Sequence, residues 1–465
     1  MFSKHTYVVG CIIVATVFLY SLLYIATLRA VHDNGVSTVD FVVGTGGDSY
    51  HYFVLAQTLL STQRFAVDPL APAETFRTPV YPLVMSGVLF VSHDIAWVPV
   101  LQIIFAACSA ALIFLLGRRF CSFWVGLAAA LLFIFEPAVY TNAVISATDT
   151  LFVLILLLGI YVLVMPEKLT YGYILLAGVC VGVLALVRPI GLYIFPLLLL
   201  WLLWEERKNW RRGAQMVGIF LIGLGLVVLP WMIRNYVYAG KASVSSVGVY
   251  NFLFYNMLEF EHRRTGVVKD VIRADMLQQI GATDADNISS LVFSDKEKEV
   301  ALEYLWAHPV QYATFHLYST IPFYLGSSID TLQRAVYLRG VVQGTLAQDV
   351  NVSALVAQGD LRTALSVLVA DLPIFVERLA WLLLCFASFL ATVVIVWRRL
   401  PGASVAVLFF FLILAFGVLT GPVAYSRYRL PAEPFIFILG CAGLVLVVQY
   451  VRERFRLYLL RRSGV

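Results

Sequence analysis

Charge is the scarcest feature of this 465-residue sequence. Only 13% of the residues are Asp, Glu, Lys or Arg, whereas 61% are hydrophobic. A soluble globular domain carries about 25% charged residues, so the composition excludes that class. The apolar residues form continuous runs, such as 151–165 and 435–448, and not the alternating ten-residue segments of an outer-membrane barrel. The composition therefore predicts an all-α polytopic integral membrane protein.

Several familiar chemical motifs are also missing. The six cysteines lie in or beside apolar runs without zinc-ligand spacing, so we interpret them as buried apolar side chains. The glycine cluster at 44–47 lacks the Gly-Lys-Ser/Thr of a phosphate-binding P-loop, and no Gly-x-Ser-x-Gly nucleophile elbow occurs. The residues identify no cofactor, and a divalent metal stays an open alternative that the sequence does not support.

The positive charge that is present is unevenly distributed. Of the 33 Lys and Arg residues, 15 fall in six short places between apolar runs: Lys4, Arg118-Arg119, Lys168, 205–212, Arg398-Arg399 and the tail from Arg452. This clustering is typical of loops on the cytoplasmic face. The net charge of +5 is therefore interpreted as an orientation signal, and no nucleic-acid partner is predicted.

Ten membrane spans follow from the apolar runs, and their even number places both termini in the cytoplasm. The spans are predicted near 7–30, 95–116, 122–144, 149–165, 170–187, 188–204, 214–231, 374–396, 403–421 and 431–450. Val80–Ser92 would extend only about 20 Å as a helix, short of the roughly 30 Å hydrocarbon core. We expect it to lie on the outer face as an interfacial or re-entrant helix, and 315–329 to lie in the interface.

The spans divide the chain into three predicted parts. An N-terminal transmembrane module (1–231) contains a first outer loop (31–94), an extracytoplasmic, mostly helical segment covers 232–373, and C-terminal helices with a basic cytoplasmic tail cover 374–465. Only four of the 28 acidic residues fall in the loops assigned to the cytoplasm. The acidic chemistry is therefore predicted outside or within the spans.

Four arginines stand at the outer ends of predicted spans, against the general placement of positive charge. They are Arg188, Arg234, Arg427 and Arg429. A lone arginine there can extend to lipid phosphate or to a helix C-terminus. Four on one face can instead bind a polyanionic headgroup, because guanidinium groups bind phosphate with two hydrogen bonds.

Carboxylates accompany these arginines. Asp48 follows the glycine cluster and Asp149 begins a span, so each could serve as a helix N-cap or as a functional acid or base. Glu136 lies within a span, where an ionisable group is a functional hypothesis by default. His51, three residues after Asp48, is the only histidine beside another candidate.

The order of short motifs along nearly the whole chain resembles the GT-C superfamily, the polytopic glycosyltransferases that use polyprenyl-phosphate sugars. These include lipid A aminoarabinose transferases, protein O-mannosyltransferases and lipopolysaccharide-core galacturonosyltransferases. The motifs are Gly-Gly-Asp48-Ser-Tyr-His-Tyr52, Arg77-Thr-Pro-Val-Tyr81-Pro, Gly-Arg-Arg119, Leu-Val-Arg188-Pro, Leu-Pro-Trp-Met-Ile-Arg234-Asn and Arg427-Tyr428-Arg429-Leu-Pro.

The resemblance implies roles for individual residues. Asp48 matches the catalytic base on a juxtamembrane helix of the first outer loop, and Asp149 matches a second acidic residue. The implied donor-phosphate ligands are the four arginines, and the implied lining residues are His51, Tyr52, Arg77, Tyr81 and Tyr428. The Ser49 that follows Asp48 departs from the paired acidic motif of many members and gives no support for a metal.

The expected activity is inverting transfer of a sugar from a polyprenyl-phosphate donor. The acceptor would be an envelope glycolipid, a glycan or a protein on the extracytoplasmic face, and the compact length favours a bacterial inner membrane. Two alternatives remain open at this point: a transporter or flippase of a lipid-linked sugar, and a non-catalytic envelope assembly protein.

Overall fold

The computed structural model describes residues 4–44, 46–283, 287–338 and 361–462. Within these ranges the chain is helical and contains no strand, so the predicted all-α class is confirmed. The helices of the first half are α1 (Lys4–Asp33), α2 (Thr38–Val42), α3 (Gly47–Thr62), α4 (Val80–Ser92), α5 (Trp97–Phe120), α6 (Phe123–Phe135), α7 (Pro137–Val144), α8 (Asp149–Val164), α9 (Tyr171–Val187), α10 (Phe195–Glu205) and α11 (Trp210–Ala239). A 3₁₀ helix, Pro189–Ile194, precedes α10.

The second half contains a group of short helices, called the outer group after its predicted location, followed by three long ones. The outer group comprises α12 (Val247–Asn251), a π-helical turn (Phe252–Met257), α13 (Leu258–Thr265), α14 (Lys269–Ile280), α15 (Ser294–Ala307), α16 (Pro309–Ser319), α17 (Ile321–Leu325) and α18 (Ser328–Leu338). The remaining helices are α19 (Leu361–Trp397), α20 (Ala403–Thr420), the four-residue α21 (Ser426–Arg429) and α22 (Glu433–Arg462).

Among the described residues, six helices are long and apolar enough to cross a membrane: α1, α5, α11, α19, α20 and α22. The pair α6 and α7, bent by 54°, would make a seventh. The bend falls at Glu136, because the proline that follows keeps this residue out of the helical conformation. Helices α8 and α9 have only 16 and 17 residues. The protein is an integral membrane protein, and the count of ten spans stays a prediction.

Helix α4 has the bounds predicted from the sequence. It begins after Pro79 and ends at Ser92, with His93 in the left-handed conformation at φ 55°. Its 13 residues extend about 20 Å. The placement of this helix on the outer face stays a prediction.

Helices α9 and α11 pack with their backbones in contact. A Cβ atom on Gly178 would lie 2.2 Å from the carbonyl oxygen of Phe220, and one on Gly223 would lie 2.3 Å from that of Leu175. Small residues permit this close approach between membrane helices. The contact fixes the C-terminal end of α9, where Arg188 follows the last helical residue.

The outer group has its own hydrophobic core, separate from that of the long helices. Its buried members include Leu253, Phe254, Met257, Phe260, Met276, Leu277, Val300 and Ala301. Helix α11 extends to Ala239 and α19 begins at Leu361, so residues 231 and 373, the predicted limits of this segment, fall inside helices.

Candidate functional site

Asp48 lies in the first turn of α3, next to the membrane-spanning part of the molecule. The N-cap position of α3 is occupied by Gly46, which has no side chain to bond to the helix. Asp48 lies inside the first turn instead, so the N-capping interpretation of Asp48 is wrong. The Asp48 side chain is 44% exposed, and Nη2 of Arg77 donates a hydrogen bond to its Oδ1 at 2.5 Å. Asp48 is thus an accessible carboxylate held by one guanidinium group.

A chain of polar contacts orients Arg77. Its Nε donates to Nδ1 of His51 at 3.3 Å, and Nε2 of His51 lies 2.9 Å from Oε2 of Glu74. Because Nδ1 accepts a hydrogen bond, the network assigns the imidazole proton to Nε2. The guanidinium group also lies over the rings of Phe76 at 4.7 Å and Tyr52 at 5.2 Å. His51 is therefore a link between Glu74 and Arg77, and not a free surface side chain.

Asp149 is the first residue of α8 and is fully buried. Thr148 occupies the N-cap position, so the N-capping interpretation of Asp149 is also wrong. Nη1 of Arg188 donates to its Oδ1, and Nε and Nη2 of Arg427 donate to its Oδ2 at 3.0 and 2.9 Å. A buried carboxylate between two guanidinium groups is stabilised in its ionised form.

The loop before α8 brings the two carboxylates to the same part of the protein. Tyr81, 1% exposed, donates to Oε1 of Gln102 at 2.5 Å, and Nε2 of Gln102 donates to the Ile145 carbonyl at 2.6 Å. The Ser49 hydroxyl donates to the Ser146 carbonyl at 2.5 Å. These bonds tie α3, α4 and α5 to one loop.

Guanidinium groups outnumber carboxylates in the direct contacts around the two aspartates, and Glu74 stands behind Arg77 on the far side of His51. The cluster contains three arginines, Arg77, Arg188 and Arg427, and two aspartates. Burial by itself would raise the pKa of Asp48, but the charges of the three arginines outweigh burial and lower the pKa below its ordinary value. Within the described residues, Nη1 of Arg427 makes no hydrogen bond. The cluster can therefore accept a further anion.

Arg234 lies outside this cluster. Its Nη1 donates to the backbone carbonyl of Glu74, and its Nη2 donates to that of Phe65 at 3.2 Å. The guanidinium group lies 4.6 Å from the centre of the Trp231 ring. In this arrangement Arg234 supports the loop that carries Glu74 and does not reach the two aspartates.

Arg429 also lies apart from Arg427, although only one residue separates them. Arg429 is fully buried, and its Nε donates to Oε1 of Glu433 at 3.1 Å. Its other nitrogens bond to backbone carbonyls and to the Ser328 hydroxyl. The structure thus brings Arg188 and Arg427 together and separates Arg429 from them.

Two of the predicted tyrosines line the cluster. The ring of Tyr428 lies 5.8 Å from the Arg188 guanidinium carbon, and Tyr425 packs on it edge to face at 4.7 Å. Tyr52 contacts Arg77 on one side and the buried Tyr81 on the other, with 5.1 Å between the ring centres. Tyr81 itself acts as a structural link to Gln102.

Sequence reasoning missed two residues of this arrangement. Gln102 is a polar residue in the middle of a predicted span, and the rule that flagged Glu136 would also have flagged it. Glu74 carries no such signal, because an acidic residue in a predicted outer loop is ordinary. In the part of the chain that the structure describes, no three His, Cys, Asp or Glu side chains are placed to hold a metal ion.

Comparison with known proteins supports the resemblance noted in the sequence. Residues 76–233 match the sequence model of a family described as dolichyl-phosphate-mannose-protein mannosyltransferase, which confirms the similarity to GT-C glycosyltransferases. The matched range contains Arg77, Asp149 and Arg188 and ends one residue before Arg234. No curated protein matches the sequence.

Solved structures of two kinds are similar to the chain. One is ArnT from Cupriavidus metallidurans bound to undecaprenyl phosphate, with 13% identity, a TM-score of 0.37, and coverage of 91% of this chain and 77% of that one. Another is the oligosaccharyltransferase AglB from Archaeoglobus fulgidus in complex with an inhibitory peptide and a dolichol-phosphate, with 11% identity, a TM-score of 0.41, and coverage of 96% and 52%. This chain thus spans about half the length of that oligosaccharyltransferase.

Proposed function

We propose that this protein is an inverting glycosyltransferase that moves a sugar from a polyprenyl-phosphate donor to an acceptor hydroxyl. One observation carries the proposal: an accessible ionised carboxylate, Asp48, lies in the same cluster as a buried Asp149 that holds two arginines. Such a cluster offers a base and an anion site side by side. The family match over residues 76–233 supports the same class of reaction.

The reaction is a single displacement at the anomeric carbon. The acceptor oxygen forms a bond to that carbon while the bond from the carbon to the phosphate oxygen breaks, and the phosphate leaves with the electron pair. Asp48 takes the proton of the acceptor hydroxyl, for which it needs only to be ionised and within about 3 Å. The lowered pKa of Asp48 keeps it ionised at neutral pH.

The arginines stabilise the charge that develops on the departing phosphate. Nη1 of Arg427 has no hydrogen-bond partner among the described residues, and Arg188 is held beside Arg427 by the shared Asp149. Preorganised donors of this kind are worth several kcal/mol in a partly dry site. We assign Asp149 to the orientation of these two side chains, because it is fully buried and both of its oxygens accept hydrogen bonds.

The proposed setting is the extracytoplasmic face of a bacterial inner membrane, with both termini in the cytoplasm. The polyprenyl chain would lie among the apolar helices, in contact with membrane lipids, while the headgroup meets the cluster. The acceptor would be an envelope glycolipid, a glycan or a protein. Mass spectrometry of envelope glycolipids and glycoproteins from a deletion strain would identify it by the sugar that disappears.

The test of the proposal is Asp48→Asn in purified, detergent-solubilised protein supplied with polyprenyl-phosphate mannose. We expect the release of polyprenyl phosphate to fall by at least about a hundredfold, the usual contribution of a general base. The matched control is Asp68→Asn, since Asp68 is an exposed aspartate of the same outer loop. Undiminished turnover in Asp48→Asn would remove Asp48 from the mechanism. Release in detergent also separates an enzyme from a transporter, which needs two compartments.

A further inference from the structure

Arg429 is the centre of a buried polar network beside the proposed site. All of its nitrogens have partners: Nε bonds to Glu433, Nη1 bonds to the Gly326 carbonyl at 2.8 Å, and Nη2 bonds to the Ser328 hydroxyl at 3.1 Å. Its guanidinium carbon lies 3.5 Å from the centre of the Trp381 ring. The side chain is fully buried, so it is enclosed by these partners and not exposed to a substrate phosphate.

The network reaches elements that are far apart in the sequence. Gly326 and Ser328 belong to the corner between α17 and α18, Trp381 belongs to α19, and Glu433 begins α22. Glu377 of α19 holds the same corner, since its carboxylate accepts hydrogen bonds from the backbone N–H groups of Ser328 at 2.7 Å and of Ile329 at 3.1 Å. Arg429 therefore joins the outer segment to two of the long helices.

Glu136, the acidic residue at the bend between α6 and α7, faces the same guanidinium group. Its Oε1 lies 4.0 Å from Nη2 of Arg429 and makes no hydrogen bond within the described residues. Oε2 of Glu433 is likewise buried without a partner there. The arginine is thus the cation that permits these carboxylates to be buried.

The contacts of Arg429 hold a very short helix in position. Helix α21 has only four residues, Ser426–Arg429, so Arg427 and Arg429 are carried by one turn and point to different partners. At the other end of this turn, the Ser426 and Thr331 hydroxyls share a hydrogen bond at 2.5 Å. A helix of four residues is not stable by itself, so the position of α21 depends on these side-chain contacts.

We propose that Arg429 is a positioning residue: it anchors α21 so that the Arg427 guanidinium group meets Asp149 and presents Nη1 to an anion. This role rests on the proposed function, in which that anion is the donor phosphate. It replaces the direct phosphate contact predicted for Arg429 from the sequence. Arg429 acts through Arg427, and so its effect on donor binding disappears when Arg427 has already been changed.

The experiment is a double-mutant cycle on the binding of undecaprenyl phosphate, with Arg429→Lys, Arg427→Lys and the double variant. Lysine keeps the positive charge beside Glu433 but loses the planar fork of the guanidinium group. We expect each single variant to raise the Kd about tenfold, as for the loss of one charge-assisted hydrogen bond. The double variant should bind like Arg427→Lys alone. Multiplied effects in the double variant would overturn the proposal, because they would mean that Arg429 contacts the ligand independently.

A second measurement reports on the turn itself. Hydrogen exchange of backbone amides in 424–432 should speed up in Arg429→Lys and in Ser328→Ala, which removes one hydrogen bond and leaves every charge in place. The matched control is Arg264→Lys, since Arg264 pairs with Glu261 in the outer group at 2.6 Å, far from α21 in the sequence. Exchange in Arg429→Lys equal to that of the wild type would overturn the proposal.

The two measurements also separate this proposal from the proposed function. A wild-type protein that does not bind undecaprenyl phosphate would contradict the glycosyltransferase assignment, while faster exchange in Arg429→Lys would still support the anchoring of α21. A wild-type protein that binds the lipid, together with an Arg429→Lys variant of unchanged affinity, would reject the positioning role alone.

Discussion

His51 shows how one side chain that lies between two charged ones can determine their geometry. It accepts a hydrogen bond from Arg77 on Nδ1 and contacts Glu74 through Nε2. Burial raises the pKa of Glu74, but the hydrogen bond from His51 and those from the backbone N–H groups of Phe76 and Arg77 lower it below its ordinary value. Glu74 is therefore negatively charged, and it forms the far end of the contacts that run through His51 and Arg77 to Asp48.

A second acidic residue, Glu297, is in the opposite situation. It lies on α15 with 0% exposure, and neither carboxylate oxygen has a hydrogen-bond partner among the described residues. Burial raises its pKa to about 8 from an ordinary value of 4.5. Between these values the folded state holds a proton that the unfolded state has lost, so stability falls as the pH rises.

Glu297→Gln is expected to remove this pH dependence. The gain in stability of the variant over the wild type should be absent at pH 4 and should grow from pH 5 to pH 8, by at most about 1.4 kcal/mol per pH unit. Thermal unfolding in detergent across this range measures it. The matched control is Glu303→Gln, an exposed glutamate of the same helix. An equal response of both variants would contradict the prediction.

At the scale of elements, the contact between α9 and α11 places Arg188 and is sensitive to added volume. We expect Gly178→Ala to destabilise the protein by about 1–3 kcal/mol, because the new methyl group would meet the backbone of α11. Gly218→Ala on α11 is the control, since a Cβ there meets nothing within 4 Å. The measurement is the thermal unfolding temperature of the two variants. Equal temperatures would show that the helices do not pack through these glycines.

Prolines set helix boundaries that hydrophobic periodicity does not predict. Helix α15 ends at Ala307 and α16 begins at Pro309, with a break at His308 between them. A proline is accommodated at the start of a helix but removes a hydrogen bond inside one. The predicted interfacial segment 315–329 is divided among α16, α17 and α18, with Pro322 in the first turn of α17 and Gly326 at the break before α18.

At the scale of the whole molecule, the orientation of the chain in the membrane can be tested at α4. A cysteine at Gly87 fits without contact, since a Cβ there meets nothing within 4 Å. In a variant without its native cysteines, we expect Gly87→Cys to react with a membrane-impermeant maleimide added outside. Lys208→Cys, in a basic loop, should react only after the membrane is opened. Labelling of Gly87→Cys only after opening would place α4 on the cytoplasmic side.

The sequence by itself determined the class of the protein, the bounds of α4 and the identity of most charged residues in the cluster. These follow from composition, from helix length against membrane thickness, and from the scarcity of charge in apolar surroundings, which makes each charged residue conspicuous. Asp48, Arg77, Asp149, Arg188 and Arg427 were all found in this way or through the resemblance that their motifs carry.

Only the tertiary structure decided which charges meet. Arg427 and Arg429 are equivalent in the sequence, yet one reaches Asp149 and the other is enclosed by Glu433, Gly326 and Trp381. The structure also connected Glu74 to Arg77 through His51. Side-chain pairing depends on distances between segments that are far apart along the chain, and hydrophobic periodicity contains no information about those distances.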